Sequence, residues 1–137
     1  MCLRRLGKEG PVETLLIASR RNGLWGIPKG RIEAGEGTSQ AAQREAFEEA
    51  GVRGSVEKDV FGTFTYDKQG ADLYHVSVHV LHTLQLVDPF PERHVRRARW
   101  VPVRTAVREV GRAELGELFA RLLAEDILND ARPLQGR

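Results

Sequence analysis

The sequence predicts a mixed α/β (α+β) fold. Three patterns indicate this class: a short apolar run near the N-terminus, an amphipathic segment after a glycine-rich stretch, and later segments rich in strand-forming residues. Apolar residues recur every 3.6 positions on a helix and every second position on a strand, so their spacing separates the two kinds of element. Because strand-like segments come both before and after a helical one, the all-helical and all-strand classes are excluded.

The first half of the chain contains one predicted strand and one predicted helix. Val12 to Ala18 is mostly apolar and lies between turn signals at Gly10-Pro11 and Asn22-Gly23, which is typical of a strand. After the glycine-rich stretch, Thr38 to Ala50 has the composition of a helix, and Gly51 is a suitable residue to end it. We therefore expect a strand, a long loop and a helix in this order.

The second half of the chain adds further strands and a final helix. Phe61 to Tyr66 and Leu73 to Leu86 are predicted strands joined by a polar turn at Asp67–Gly70, and apolar and polar residues alternate in the second of them. Ala98 to Val103 is a further short strand. Near the C-terminus, leucines and a phenylalanine recur at three- and four-residue spacing, which predicts an amphipathic helix. These residues are Leu115, Leu118, Phe119, Leu122 and Leu123.

Length and composition exclude several classes of protein. The 137 residues fit a single domain over 1–137. With 21 basic against 19 acidic residues, the net charge does not indicate a nucleic-acid or membrane partner. Cys2 is the only cysteine, which excludes a disulfide framework within the chain and a zinc site built from cysteines. No apolar run is long enough to span a bilayer, and no secretory signal is present, so we expect a cytoplasmic protein.

Three carboxylates share one face of the predicted helix. Glu45, Glu48 and Glu49 stand at positions i, i+3 and i+4, which are neighbours on a helix surface. Such like charges repel unless they are solvated or neutralised by a partner. A hard divalent cation, Mg²⁺ or Mn²⁺, prefers oxygen ligands and would offset the repulsion.

The loop before the helix can complete this site. Glu36 can add a fourth carboxylate, and Arg44 can pair with Glu36 or Glu48 and fix the orientation of that carboxylate. Glycines in the loop, among them Gly30, allow it to turn back so that a backbone carbonyl faces the metal. The alternative interpretation is a solvated acidic helix face, which is the commoner outcome for glutamate-rich helices.

The spacing of these residues resembles the Nudix box. Gly30 is followed after five residues by Glu36 and after seven more by Arg44-Glu45, and Glu48-Glu49 and Gly51-Val52 complete the pattern. A chance match at every fixed position is rare in a chain of this composition. The pattern favours a metal-binding helix over a solvated one and indicates a Nudix hydrolase.

The resemblance implies a fold and a reaction. The fold would be an α/β/α sandwich with a mixed β-sheet between helices, and the reaction would be hydrolysis of a phosphoanhydride in a nucleoside or other organic diphosphate. In this family Glu45, Glu48 and Glu49 would ligate Mg²⁺, with help from the Gly30 carbonyl and from Glu36. One of these three helix glutamates would help to activate water; Glu48 and Glu49 are favoured, and which one does so stays open.

The residues before the box point to a substrate class. Trp25-Gly26-Ile27-Pro28-Lys29-Gly30 looks like the Nudix branch that hydrolyses diadenosine polyphosphates and diphosphoinositol polyphosphates. Members that act on inositol pyrophosphates often have a run of glycines where this chain has Lys29-Gly30-Arg31, so the dinucleoside polyphosphate interpretation is favoured. We expect a small-molecule polyphosphate substrate, and the sequence leaves the oligomeric state open.

Basic residues near the box could hold such a substrate, because Arg binds phosphate through two parallel hydrogen bonds and Lys acts as a point charge. The candidates are Arg20, Arg21, Lys29, Arg31, Arg96 and Arg97. Trp25 could stack on a base or serve as a packing anchor. Tyr66 and Lys68, in the predicted hairpin, are further candidates to border the pocket.

Three other functions fit the same box. Removal of pyrophosphate from an RNA 5′ end is one, although that branch usually has Gln where this chain has Lys29. Hydrolysis of ADP-ribose or a nucleotide sugar is another, and no residue favours it. The third is a catalytically silent Nudix-like nucleotide-binding module, which the complete set of box residues disfavours.

Overall fold

The computed structural model describes residues 1–68 and 72–125. In that part of the chain the backbone forms eight strands and three helices. In chain order they are β1 (Cys2–Arg5), β2 (Val12–Ala18), β3 (Trp25–Gly26), α1 (Thr38–Ala50), β4 (Val52–Val56), β5 (Gly62–Lys68), β6 (Asp72–Val78), β7 (Leu81–Leu86), β8 (Ala98–Pro102), α2 (Val103–Glu109) and α3 (Ala113–Ala124).

Six of these strands form one mixed sheet. Its order is β3-β2-β1-β7-β4, and β8 also pairs with β2. The β1–β7 pair is parallel, while the other pairs in this sheet are antiparallel. The remaining strands, β5 and β6, form a separate antiparallel hairpin in which Tyr66 lies opposite Tyr74. The expected mixed sheet is confirmed.

The sheet has a hydrophobic core on each face because successive strand side chains point to opposite sides. On one face Leu15 and Ile17 of β2 pack with Ala46 of α1. On the other face Leu16 of β2 packs with Phe119 of α3 and with other residues of α2, α3 and the hairpin. Helices therefore cover both faces of the sheet, and the predicted α/β/α sandwich is confirmed.

Helix α1 has the predicted bounds. It begins after Gly37, whose N–H donates to the side-chain oxygen of Gln40 over 2.7 Å. It ends at Gly51, which takes the left-handed conformation with φ 68° and donates its N–H to the Phe47 carbonyl over 2.8 Å. Glycine occupies such a position without the steric cost that a Cβ brings.

The predicted strand from Leu73 to Leu86 is wrong as a single element. The chain leaves the hairpin after Val78 and enters the main sheet at Leu81. Between them His79 and Val80 are both buried, which breaks the alternation of the two faces. The His79 ring is hydrogen-bonded to the Glu57 carbonyl over 2.8 Å and to the Thr38 hydroxyl over 2.7 Å. These two bonds allow a polar side chain at a position where periodicity predicts exposure.

Other boundaries shift by smaller amounts. Asp67 and Lys68 of the predicted turn belong to β5, and Gln69 and Gly70 lie outside the described residues. Val103 begins α2 instead of ending β8.

Four short elements are not predicted from the sequence: β1, β3, β4 and α2. The longest of these has seven residues, which is too short for a periodic pattern to stand out. The helices in the described ranges are too short or too polar to cross a membrane.

Replacing Gly51 tests how tightly α1 joins the sheet. A methyl group on Gly51 would collide with the Val87 carbonyl oxygen and the Phe90 ring, and the positive φ adds backbone strain. We expect Gly51→Ala to lower the free energy of unfolding by about 3 kcal/mol. The matched control is Gly35→Ala, because Gly35 also has a positive φ but open space around it; it should cost about 1 kcal/mol. Equal losses in urea denaturation would contradict the packing argument.

Candidate metal and phosphate site

The loop that follows β3 lies directly against α1. A methyl group built on Gly30 would overlap the carboxylate of Glu45, so a side chain at this position would displace that carboxylate. The Glu45 side chain is 11% exposed and the carboxylate is enclosed between the loop and the helix. The close contact brings the backbone of the loop to the acidic face of α1, as the sequence pattern predicts.

Arg44 connects the loop to this acidic face through hydrogen bonds to several partners. Its Nε and Nη2 donate to the two carboxylate oxygens of Glu36 over 2.8 and 3.0 Å. Its Nη1 donates to Glu45 over 2.6 Å and to Glu48 over 3.2 Å. The Arg31 carbonyl accepts a further bond from Nη2 over 2.8 Å. One guanidinium therefore holds three of the four predicted metal-binding carboxylates.

These bonds change the acid–base properties of the pair. The hydrogen bonds from Arg44, followed by the one from the Glu33 N–H, lower the pKa of Glu36 to about 2. The same carboxylate, together with Glu45, raises the pKa of Arg44 above its usual value. Both groups therefore stay charged across the physiological range, and the network keeps its geometry there.

Glu49 has a different environment at the base of a cavity. Its side chain is 3% exposed, and Arg96 Nε lies 3.6 Å from one carboxylate oxygen. The other oxygen accepts the Lys29 backbone N–H over 3.2 Å. Burial, followed by a hydrogen bond shared with Glu45, raises the pKa of Glu49 above the usual range. Two buried carboxylates so close together need a proton or a cation between them.

The acidic residues do not form one complete set of metal ligands. Within residues 1–68 and 72–125, no three His, Cys, Asp or Glu side chains converge on a common point. Arg44 Nη1 holds one oxygen of Glu45 and one of Glu48, so these oxygens face the guanidinium. The donor set still fits a hard divalent cation: it consists of oxygens, it carries excess negative charge, and Gly30 leaves space beside the Glu45 carboxylate.

A cavity of about 590 Å³ opens beside this acidic pair. Of the residues predicted to form the site or border the pocket, the following line it: Arg20, Arg21, Trp25, Lys29, Gly30, Arg31, Glu45, Glu49, Tyr66 and Arg96. The lining also includes Arg112 and Tyr74. Six basic side chains thus share one cavity with two acidic ones. A larger depression, of about 730 Å³, lies beside the opposite face of α1, and its lining contains no carboxylate.

Four predicted site residues lie outside the cavity lining. Glu36, Arg44 and Glu48 belong to the hydrogen-bond network of Arg44 instead. Arg97 is exposed, and its guanidinium lies 5.2 Å from the centre of the Trp25 ring. The expectation that Arg97 lines the cleft is not met, because its side chain covers Trp25.

Of the two roles that the sequence leaves open for Trp25, its contacts in the structure fit the packing anchor. The half-buried ring packs against the core that contains α2 and α3, and it also lines the cavity. Arg99 lies 5.4 Å from the ring centre and is paired with Glu109 over 2.7 Å. These contacts make Trp25 a packing anchor at the edge of the cavity.

Sequence reasoning missed Tyr74 and Arg112. Tyr74 belongs to the alternating segment, and its place opposite Tyr66 follows only from the observed pairing of β5 with β6. Arg112 comes directly before α3 and had no sequence signal, since its position depends on how α3 packs. Tyr66 does line the cavity, while the side chain of Lys68 lies outside the described residues.

Comparison with known proteins agrees with this architecture. A family model described as the NUDIX domain matches residues 2–122. The protein named Nudix hydrolase 17, mitochondrial, of Arabidopsis thaliana is 35% identical over 101 residues, which are 74% of this chain and 55% of that protein. The chain spans about half the length of the curated relatives it matches.

Solved structures with a similar fold include the C. elegans Ap4A hydrolase. Its crystal structure is 26% identical in sequence, covers 90% of this chain and 91% of that chain, and superposes with a TM-score of 0.67. A binary complex of a C. elegans Ap4A hydrolase is 27% identical, covers 90% of each chain and gives a TM-score of 0.65.

The Arg44 network predicts a pH-dependent contribution to stability. Because the folded-state pKa of Glu36 lies below its unfolded value, the pair stabilises the fold above about pH 4.5, and this contribution is lost as the pH falls towards 2. We expect Arg44→Met to lower the free energy of unfolding most above pH 5. The difference from the unsubstituted protein should shrink between pH 4.5 and 2.

The measurement is urea denaturation in EDTA at a series of pH values. The matched control is Arg104→Met, because Arg104 is an exposed arginine of α2. A difference for Arg44→Met that does not vary with pH would contradict the assignment.

Proposed function

Because this chain belongs to the Nudix family, we propose that it is a Mg²⁺-dependent pyrophosphohydrolase that cleaves phosphoanhydride bonds in dinucleoside polyphosphates, such as diadenosine polyphosphates. The observation that carries the proposal is one cavity with a buried acidic pair, Glu45 and Glu49, and a lining of six basic side chains. Carboxylates suit a divalent cation, and a row of guanidinium and ammonium groups suits several contiguous phosphates.

Glu45, Glu48, Glu49, the Gly30 carbonyl and Glu36 would hold the Mg²⁺, and Mn²⁺ would fit the same oxygen ligands. A bound divalent ion lowers the pKa of water and neutralises charge on phosphoryl oxygens. Arg44 orients Glu36, Glu45 and Glu48 and is not expected to contact the substrate. The site therefore combines ligands of two kinds: carboxylates fixed by Arg44 and the carboxylate of Glu49, fixed by the Lys29 N–H.

The water-activating base is Glu48 or Glu49. Glu48 is the more accessible of the two, with a side chain that is 34% exposed. Glu49 lines the cavity and is enclosed near Arg96. In both positions a carboxylate can accept a proton from a water that attacks phosphorus.

Cations from separate parts of the chain would bind the substrate phosphates. Arg20 and Arg21 follow β2, Lys29 and Arg31 flank Gly30, and Arg96 precedes β8. Their convergence on one cavity supports a substrate with high negative charge. The solved C. elegans Ap4A hydrolases, at 26% and 27% identity, support the dinucleoside polyphosphate class.

Diphosphoinositol polyphosphates have the same phosphoanhydride chemistry and are the second candidate in this class. RNA with a 5′ triphosphate, ADP-ribose and nucleotide sugars are weaker candidates, since they present fewer contiguous phosphates to six cations. A catalytically silent binding module is the non-enzymatic alternative. A cytoplasmic location stays a prediction, and the curated relatives include proteins named mitochondrial and chloroplastic.

A substrate panel with Mg²⁺ tests the proposal. The panel contains diadenosine tetra-, penta- and hexaphosphate, diphosphoinositol phosphates, ADP-ribose, deoxynucleoside triphosphates and 5′-triphosphate RNA. We expect the highest kcat/KM with the diadenosine polyphosphates. Binding of these compounds without turnover, in either Mg²⁺ or Mn²⁺, would overturn the proposal in favour of a silent module.

Glutamine substitutions test the roles of the helix glutamates. Glu48→Gln removes a negative charge and a proton acceptor while preserving shape, so kcat should fall by about 10²- to 10⁴-fold. The thermal midpoint should change little because the side chain is partly exposed. Glu117→Gln, on the exposed side of α3, is the matched control and should keep full activity. Wild-type turnover by Glu48→Gln would remove Glu48 from the proposed site.

A further inference from the structure

The ring of Tyr66 is enclosed by other groups of the protein. One neighbour is Tyr74, whose ring stacks on it with centroids 5.4 Å apart and planes 22° apart. Two cations also lie over the ring: Lys29 Nζ is 4.5 Å from its centroid and Arg112 Cζ is 5.3 Å away. Tyr66 therefore contacts two basic residues that come from different loops and line the same cavity.

Lys29 and Arg112 lie in an environment that disfavours positive charge. Lys29 is half-buried, and the cavity that it lines also contains the positive charges of Arg112, Arg96 and Arg21. Long basic side chains that repel one another would otherwise extend into water, where solvation is better. The electron-rich face of an aromatic ring attracts cations and offsets part of this cost.

We propose that Tyr66 is a positioning residue: its ring holds Lys29 and Arg112 over the cavity, where the two side chains together bind contiguous phosphates of the substrate. The inference rests on the proposed function for the identity of the substrate, and it adds Arg112 to the residues that contact it. Arg112 precedes α3, whereas Lys29 lies beside the acidic pair, so the two cations approach the phosphates from different elements.

The same contacts argue against a role for Tyr66 as a platform for a nucleobase. One face of the ring is stacked on Tyr74, and Lys29 and Arg112 lie over the ring. A base would have to displace both cations, which would leave the phosphates without two of their partners. Tyr66 thus acts on phosphate affinity through the basic residues.

The test measures the affinity for inorganic tripolyphosphate by calorimetry, in EDTA, with the full chain. Tripolyphosphate has the phosphates of the proposed substrate but no base, and EDTA removes the contribution of metal. Tyr66→Leu removes the aromatic face and keeps an apolar side chain, so the affinity should fall about 5- to 30-fold. Tyr66→Phe keeps the face and should bind within about twofold of the unsubstituted protein.

Phe61→Leu is the matched control. Phe61 comes just before the same hairpin, and the guanidinium of Arg121 lies over its ring, 3.9 Å from the centroid. Phe61 does not line the cavity. Phe61→Leu removes a contact between a cation and an aromatic ring, as Tyr66→Leu does, and should leave the affinity for tripolyphosphate unchanged. Thermal midpoints of all variants separate a change in affinity from a loss of folded protein.

A second set of variants keeps the test decisive if Tyr66→Leu folds poorly. Arg112→Met should weaken tripolyphosphate binding by a similar factor. The double variant Arg112→Met/Tyr66→Phe should bind tripolyphosphate no more weakly than Arg112→Met alone. In steady-state assays with diadenosine tetraphosphate, Tyr66→Leu and Arg112→Met should raise KM while kcat changes less than twofold.

Three results would overturn the inference. Equal losses for Tyr66→Phe and Tyr66→Leu would show that the hydroxyl matters and not the ring face. Weaker binding of diadenosine tetraphosphate with unchanged binding of tripolyphosphate would indicate base stacking. Full affinity in Arg112→Met would remove Arg112 from the phosphate site. Failure of the proposed function is a separate outcome, recognised by absence of turnover in the unsubstituted protein.

Discussion

The hydrogen bonds from one guanidinium to several carboxylates determine how the loop after β3 packs against helix α1. Arg44 binds Glu36, Glu45 and Glu48 and also donates to the Arg31 carbonyl of the loop. It can do so because Gly30 has no side chain to push the loop away from Glu45. Three carboxylates on this one guanidinium leave an excess of negative charge, which a divalent cation would neutralise.

The near-neutral total of 21 basic and 19 acidic residues hides a separation of charge. The acidic excess lies on α1, and basic side chains from the loops and the start of α3 line the adjoining cavity. A metal–polyphosphate complex matches both halves, since the cation neutralises the carboxylates and the phosphates neutralise the basic groups. Tyr66 fits the same scheme because it holds two of those basic groups in place before any ligand is bound.

The sequence predicts the central helix and its chemistry well because the signals there are local. Both ends of α1 are marked by glycines, and the spacing of its glutamates follows from helix geometry alone. The break at His79 and Val80 could not be predicted, since the hydrogen bonds that permit a buried His79 come from distant residues. The positions of Arg112 and Arg97 could not be predicted for a related reason: they depend on the packing of α3 and on Trp25. Long-range contacts, which a single sequence does not display, decide these cases.

Binding of Mn²⁺, measured by calorimetry on the metal-free protein, tests whether the contact between Gly30 and Glu45 forms a metal site. The comparison is between the unsubstituted protein and Gly30→Ala, in which the new methyl group displaces the Glu45 carboxylate. Gly26→Ala is the control, because Gly26 lies in β3 with open space for a Cβ. Gly30→Ala should weaken Mn²⁺ binding at least tenfold while the protein stays folded, and Gly26→Ala should bind Mn²⁺ normally. Equal Mn²⁺ affinity in all three proteins, or none in the unsubstituted one, would contradict a metal site at this contact.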